Sequence, residues 1–205
     1  MPNAPEIPTR ERILYAGAEL FRRQGYGGTG LKQVVTRAEA PFGSLYHFFP
    51  GGKEQLADEV LRTGGRFFLA LYESIAHAAP DLPTGVREFF AGAAQTLLAT
   101  DFADACPIAT VAGEVASTHN GLREATADVF ESWLAAIGED AVAAGVAPAD
   151  ARPLALGVLA QLEGAFLLSR SLRAIEPMHA CGDAAVALVL AALAEKPTRR
   201  GAPHD

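Results

Sequence analysis

The chain has 205 residues, half of them hydrophobic and a fifth charged, and Ala alone makes up about a fifth. That composition excludes disorder and an all-β or collagen-like fold, and favours helices packed into one domain or two small ones. The net charge of −7 is uneven: residues 1–53 hold seven Lys or Arg against four Glu, a net of +3, which leaves −10 for the remainder.

From Thr9 onward, Ile13, Leu14, Gly17, Ala18, Leu20 and Phe21 recur at helical spacing and predict a helix that stops at Gly25. Thr29 then stands where an N-cap belongs. It opens a short second helix with Leu31, Val34, Val35 and Ala38 on one face and Lys32, Gln33, Thr36 and Arg37 on the other. Pro41 begins a third short segment that ends at Pro50-Gly51-Gly52. Two short helices joined by three or four residues form a helix-turn-helix pattern. A fourth helix follows from Lys53 to about His77, carried by Leu56, Val60, Phe67, Leu71 and Ile75, with a soft point at Gly64-Gly65.

Further helices are predicted at about 84–99, 105–117, 121–144, 150–174 and 180–195, and no segment alternates like a strand. Leu154–Leu172 and Ala184–Leu193 are apolar nearly all round, which suggests an interface between subunits. The longest uninterrupted apolar run, Ala184–Ala194, is far short of the roughly 20 residues that cross a bilayer, so no membrane partner is expected. The segment Met1–Glu6 has no basic stretch before an apolar one, and Cys106 and Cys181 make no disulfide scaffold, which fits a reducing cytoplasm. A flexible tail is expected over 197–205.

The run Thr29–Phe49, with its Gly43-Ser-Leu-Tyr-His-Phe-Phe49 core, the Gly25-Tyr26 ending before it and Lys53-Glu-Gln-Leu56 after it, resembles the TetR family of bacterial transcription regulators. Pro50–Leu56, Cys106-Pro-Ile-Ala109 and Glu163–Arg170 are similar to the LmrA and YxaF branch of that family. The resemblance implies an all-α protein with an N-terminal three-helix DNA-binding domain over 1–53 and a helical ligand-binding and dimerisation domain over 54–196. It implies a homodimeric repressor that leaves a palindromic double-stranded DNA operator when a small lipophilic effector binds.

Residue chemistry agrees with that reading. A two-turn helix fits the major groove, while its flanks and polar side chains hold phosphates. The candidate DNA contacts are Thr29, Lys32, Phe42, Gly43, Ser44, Tyr46, His47 and Lys53. Lys53 sits at a helix N-terminus, where a bound anion would compensate its charge. Family members frequently have Lys or another polar residue where this chain has Phe42, which suits a thymine methyl group or lies under its own helix. Phe68, Tyr72, Phe89, Phe102, Trp133 and Phe166 are candidates to line an effector pocket, with Glu114, Gln161 and Glu163 as its polar groups. Effector binding would tilt the fourth helix about Gly64-Gly65.

Two alternatives stay open: a thiol-based redox sensor using Cys106 or Cys181, and a helical DNA-binding protein without a ligand. Catalysis is not expected. The chain has no nucleophile elbow, zinc-protease motif, phosphate loop or dinucleotide fingerprint, and its histidines at 47, 77, 119, 179 and 204 are scattered, so neither a metal nor a cofactor is implied.

Overall fold

A computed structural model describes residues 7–195. The opening segment Met1–Glu6 and the tail expected over 197–205 lie outside the described residues. Among the described residues the elements are α1 (Thr9–Gly28), α2 (Leu31–Arg37), α3 (Phe42–Phe48), α4 (Gly52–Ala78), α5 (Leu82–Ala99), α6 (Pro107–Val115), α7 (Asn120–Ala143), α8 (Pro148–Leu172) and α9 (Glu176–Ala194), with no strand. The fold is all-α, and the helical periodicity of the sequence carries over almost element for element.

The contacts divide the chain into two compact units. One comprises the residues up to Leu71 together with Thr96–Ser132, and the other Tyr72–Gln95 together with the residues from Trp133 on. Helices α4, α5 and α7 each contribute to both.

In the first unit α1 packs on α2, α3 and α6, and α2 packs on α3. Ile13, Phe21, Val34, Leu45, Phe49, Leu56 and Leu61 are fully buried there and form its core. Leu45 and Phe49 therefore anchor α3, and Phe48, which the spacing groups with them, is only half-buried. Helix α4 runs unbroken through the glycine pair of its middle. Gly65 is buried, and a Cβ built on it would stand 2.6 Å from Val129 Cγ1 on α7; a Cβ on Gly64 meets nothing within 4 Å. Gly65 is a close helix contact, where the absent side chain leaves room for Val129 of α7.

In the second unit α8 packs along α9, and Phe90, Val86, Met178, Ala185 and Val189 are buried. Helices α8 and α9 have the length and mean hydropathy, 1.3 and 1.6, of segments able to cross a membrane, and 39% and 33% of those windows are buried. Isolated polar residues such as Glu163 interrupt their apolar runs in the sequence. Leu156, Leu167, Leu168 and Leu172 on α8 and Leu188 and Leu190 on α9 are exposed, Leu167 to 67%.

Candidate nucleic-acid interface

The geometry of the head is set where α1 ends. Gly25 has φ 76° and ψ 178°, a kink inside the span of α1, and one further turn follows it. This is a backbone region that only glycine enters readily, which is why the helix expected to stop at Gly25 instead turns and resumes. The kink frees the Gly25 carbonyl. Thr29 Oγ1 donates to it at 2.7 Å and accepts from Gln24 Nε2 at 3.4 Å, with Thr29 only 1% exposed.

Two expectations for Thr29 are corrected by this arrangement. The N-cap of α2 is Gly30, and the cap is supplied from the other side: Gln33 Oε1 accepts from Gly30 N at 2.8 Å. The Thr29 hydroxyl, turned inward and already paired, is not on the surface that faces a ligand. It holds α2 to the end of α1.

Helices α2 and α3 are joined by a turn in which Glu39 takes φ 50°. The solvent face of α3 carries Phe42, Gly43, Tyr46 and His47, with Ser44 half-buried and Lys32 exposed on α2. The Phe42 and Tyr46 rings meet edge to face with centroids 5.8 Å apart, and His47 stacks in the same manner on Phe48 at 4.8 Å.

Lys53 is half-buried. Its Nζ lies over the Tyr26 ring, 4.2 Å from the centroid. Burial holds its ammonium below the usual lysine range, and the Glu114 carboxylate pulls the other way. A ring face and a carboxylate of the protein itself thus lie against the ammonium. Tyr26 in turn meets His119 edge to face at 5.0 Å, and burial, then Glu54, raises its phenol.

Glu114, expected among the polar groups of an effector pocket, is seated against the end of α1. Gly27 N donates to its Oε2 at 2.6 Å, and Lys53 contributes an attractive charge. The sequence carries no local signal for this, since 87 residues separate the partners.

The basic balance of the head is largely spent on internal pairing. Arg37 bonds Glu19 at 2.7 and 3.0 Å, Arg23 bonds Glu19 and Asp104, Arg22 bonds Asp104, and Arg10 bonds Glu59. Asp104 is buried at 7% exposure between its two arginines. The Arg37 bond, aided by the charges of Arg37, Arg23 and Arg22 against an opposing burial effect, holds the Glu19 carboxyl below its ordinary value. These pairs tie α2 to α1 and α1 to the segment before α6, so their positive charge serves the fold.

The other pocket candidates fall in both units. Phe68, Phe102 and Glu114 belong to the first, and Tyr72, Phe89, Trp133, Gln161, Glu163 and Phe166 to the second. Within the second unit, Tyr72 and Phe89 meet edge to face at 5.5 Å, and Tyr72 Oη donates to Asp140 Oδ2 at 2.9 Å. Burial, reinforced by Asp140, raises the Tyr72 phenol far above its usual range. Asp140 also meets His77 Nε2 at 3.2 Å on the wall of a shallow cleft of about 240 Å³ lined by Ala76, His77, Ala79, Asp81, Leu82, Asp140 and Ala144. None of the predicted pocket residues lines this cleft. Cys106 is buried and caps α6, its Sγ accepting from Ala109 N at 3.5 Å; Cys181 is half-buried.

A three-helix head that presents a short helix on a buried anchor defines a helix-turn-helix DNA-binding regulator. Residues 13–60 match the family of bacterial regulatory proteins, tetR family, and residues 83–184 match the transcriptional regulator LmrA/YxaF-like C-terminal domain. The HTH-type transcriptional regulator LmrA of Bacillus subtilis (strain 168) is 32% identical over 170 residues, 83% of this chain and 90% of the relative. YxaF, an HTH-type transcriptional regulator of the same strain, is 34% identical over 161 residues, 78% and 84% of the two chains. The chain belongs to the TetR family of bacterial transcriptional regulators and carries the LmrA/YxaF-like C-terminal domain.

Solved structures agree on the fold. A TetR transcriptional regulator from Legionella pneumophila superposes with a TM-score of 0.81 at 18% identity, covering 89% of this chain and 97% of its own. The regulatory protein TetR from Rhodobacter sphaeroides gives 0.79 at 22%, covering 88% and 98%. The families and relatives that match are transcriptional regulators and not enzymes.

Proposed function

We propose that this regulator is a cytoplasmic homodimeric repressor that leaves a palindromic operator when a lipophilic small molecule binds its body. Its head over 1–53 binds DNA and its remainder over 54–196 receives the effector and dimerises, without a membrane partner. The observation that carries the reading is the set of exposed leucines on α8 and α9, Leu156, Leu167, Leu168, Leu172, Leu188 and Leu190. Apolar surface of this kind on two adjacent helices is stable in water when a second copy covers it, and a twofold axis through it presents two heads to one duplex.

Two α3 helices then enter successive major grooves about 34 Å apart, or a multiple of that spacing. In each half-site Phe42, Gly43 and Ser44 face base edges, Tyr46, His47, Lys32 and Lys53 reach phosphates, and Thr29 acts indirectly by holding α2. In the body the aromatic side chains Tyr72, Phe89, Trp133 and Phe166 of the second unit supply an apolar lining, with Gln161 and Glu163 as orienting groups.

The test is retardation of the promoter fragment upstream of the protein's own gene, read against salt. With about eight phosphates neutralised per dimer, the slope of log affinity on log salt is near −7. A protein that stays monomeric and retards no such fragment in low-salt buffer overturns the reading.

A further inference from the structure

The surface that α3 offers to a duplex lacks the side chains that pair with a base edge through two hydrogen bonds. Its solvent-facing positions are Phe42, Gly43, Tyr46 and His47, with Ser44 half-buried, and none is Arg, Lys, Asn or Gln. Those four side chains make the bidentate pairs that distinguish guanine and adenine in the major groove. Reading by α3 must therefore rest on other contacts.

Phe42 supplies one. Its ring is 45% exposed and held edge to face on Tyr46 one turn further along, at 5.8 Å and 67° between planes. A side chain braced in this way loses little further freedom on binding. Gly43 beside it has open space where a side chain would begin. In the major groove the apolar group on a base-pair edge is the 5-methyl of thymine.

We infer that Phe42 packs on a thymine 5-methyl group in each operator half-site and is the residue that makes α3 select an A·T pair there. This rests on the reading of α3 as the helix that enters the major groove. It assigns the chemistry of one base position, which a phosphate contact does not specify.

The experiment uses the full-length protein. Bound duplexes are selected from a randomised pool, and each thymine of the selected operator is then replaced in turn by deoxyuridine, which removes only the methyl group. Affinity is read by fluorescence anisotropy at fixed salt. At one thymine per half-site the loss is about fourfold, the worth of one buried methyl-sized group, and about fifteenfold when both half-sites are changed. Phe42→Ala binds the thymine operator about as weakly as the unaltered protein binds the deoxyuridine one, and it is indifferent to the replacement. Changing the same pair to G·C weakens binding, and 5-methylcytosine recovers part of the loss.

Because Phe42 is exposed, its replacement leaves the head folded, which far-ultraviolet circular dichroism checks. Phe42→Leu, which keeps an apolar contact, retains part of the methyl sensitivity. If no thymine shows methyl sensitivity, or if Phe42→Ala keeps it at the same position, the assignment is overturned while DNA binding by α3 stands. Failure to select any duplex overturns both, and the two failures are told apart by that step.

Discussion

The Glu114 carboxylate occupies the space in which any residue other than glycine at position 25 would begin its side chain. A Cβ on Gly25 would lie 1.6 Å from Glu114 Oε1, while Oε2 accepts a hydrogen bond from Gly27 N. The end of α6 and the kinked end of α1 are thereby keyed to each other, and the same kink supplies the carbonyl that holds Thr29.

Gly25→Ala is expected to destabilise the head by about 1–3 kcal/mol from backbone conformation alone, with the carboxylate clash in addition. Removing the carboxylate as well, in the Gly25→Ala Glu114→Ala pair, returns the clash portion and leaves the conformational portion. Thermal unfolding of the four proteins checks this. A Gly25→Ala protein as stable as the parent contradicts the arrangement.

The two central glycines of α4 are expected to respond in opposite directions. Gly64→Ala raises stability by about 0.5–1 kcal/mol, since alanine is the better helix former and nothing stands in its way. Gly65→Ala gains the same propensity but drives its methyl against Val129, and the net effect is a loss. Val129→Ala introduced beside Gly65→Ala recovers stability. Urea unfolding midpoints distinguish the outcomes, and equal effects at both positions would remove the packing role of Gly65.

Acid should loosen the hold of α2 on α1. The Glu19 carboxyl is held below its ordinary value of 4.5 by its bond to Arg37. Its stabilising contribution is complete above that value and is lost as the pH falls through the depressed one. The unfolding midpoint of the parent therefore drops more steeply in this acid range than that of Glu19→Gln, which is the less stable protein at neutral pH. Parallel curves for the two proteins contradict the assignment.

Leu167 is the most exposed of the α8 leucines. If a second copy covers it, Leu167→Glu sets a carboxylate in the seam twice. Losing two buried leucine contacts costs about 3 kcal/mol or more, which raises the dimer dissociation constant by about 100-fold or more. Sedimentation equilibrium reads the change. An unaltered dimer constant moves the subunit contact elsewhere.

The helices themselves were legible from the sequence. Apolar residues every three or four positions fall on the core-facing side of any helix, so Leu56, Val60 and the apolar face of α2 announce their elements locally. The head motif from Thr29 to Phe49 likewise lies within one short stretch, and with it the family. Spacing alone groups Leu45, Phe48 and Phe49 as anchors of α3; Leu45 and Phe49 are buried, whereas Phe48 is half-buried against His47.

What stayed hidden were the partners of polar and charged groups, because a hydrogen bond has no sequence period. Thr29 reads as a helix cap until the Gly25 kink places a carbonyl 2.7 Å from its hydroxyl. Nothing in the sequence around Lys53 announces the Tyr26 ring and the Glu114 carboxylate that come beside it from other helices. The excess of positive charge on the head is a matter of counting, but its distribution into the Arg22, Arg23 and Arg37 pairs with Glu19 and Asp104 is a matter of folding. Periodicity determined the helices and their inner faces, since it depends only on neighbours along the chain. Which charge meets which, and which glycine lies in a close helix contact, was decided by the packing of segments far apart in sequence.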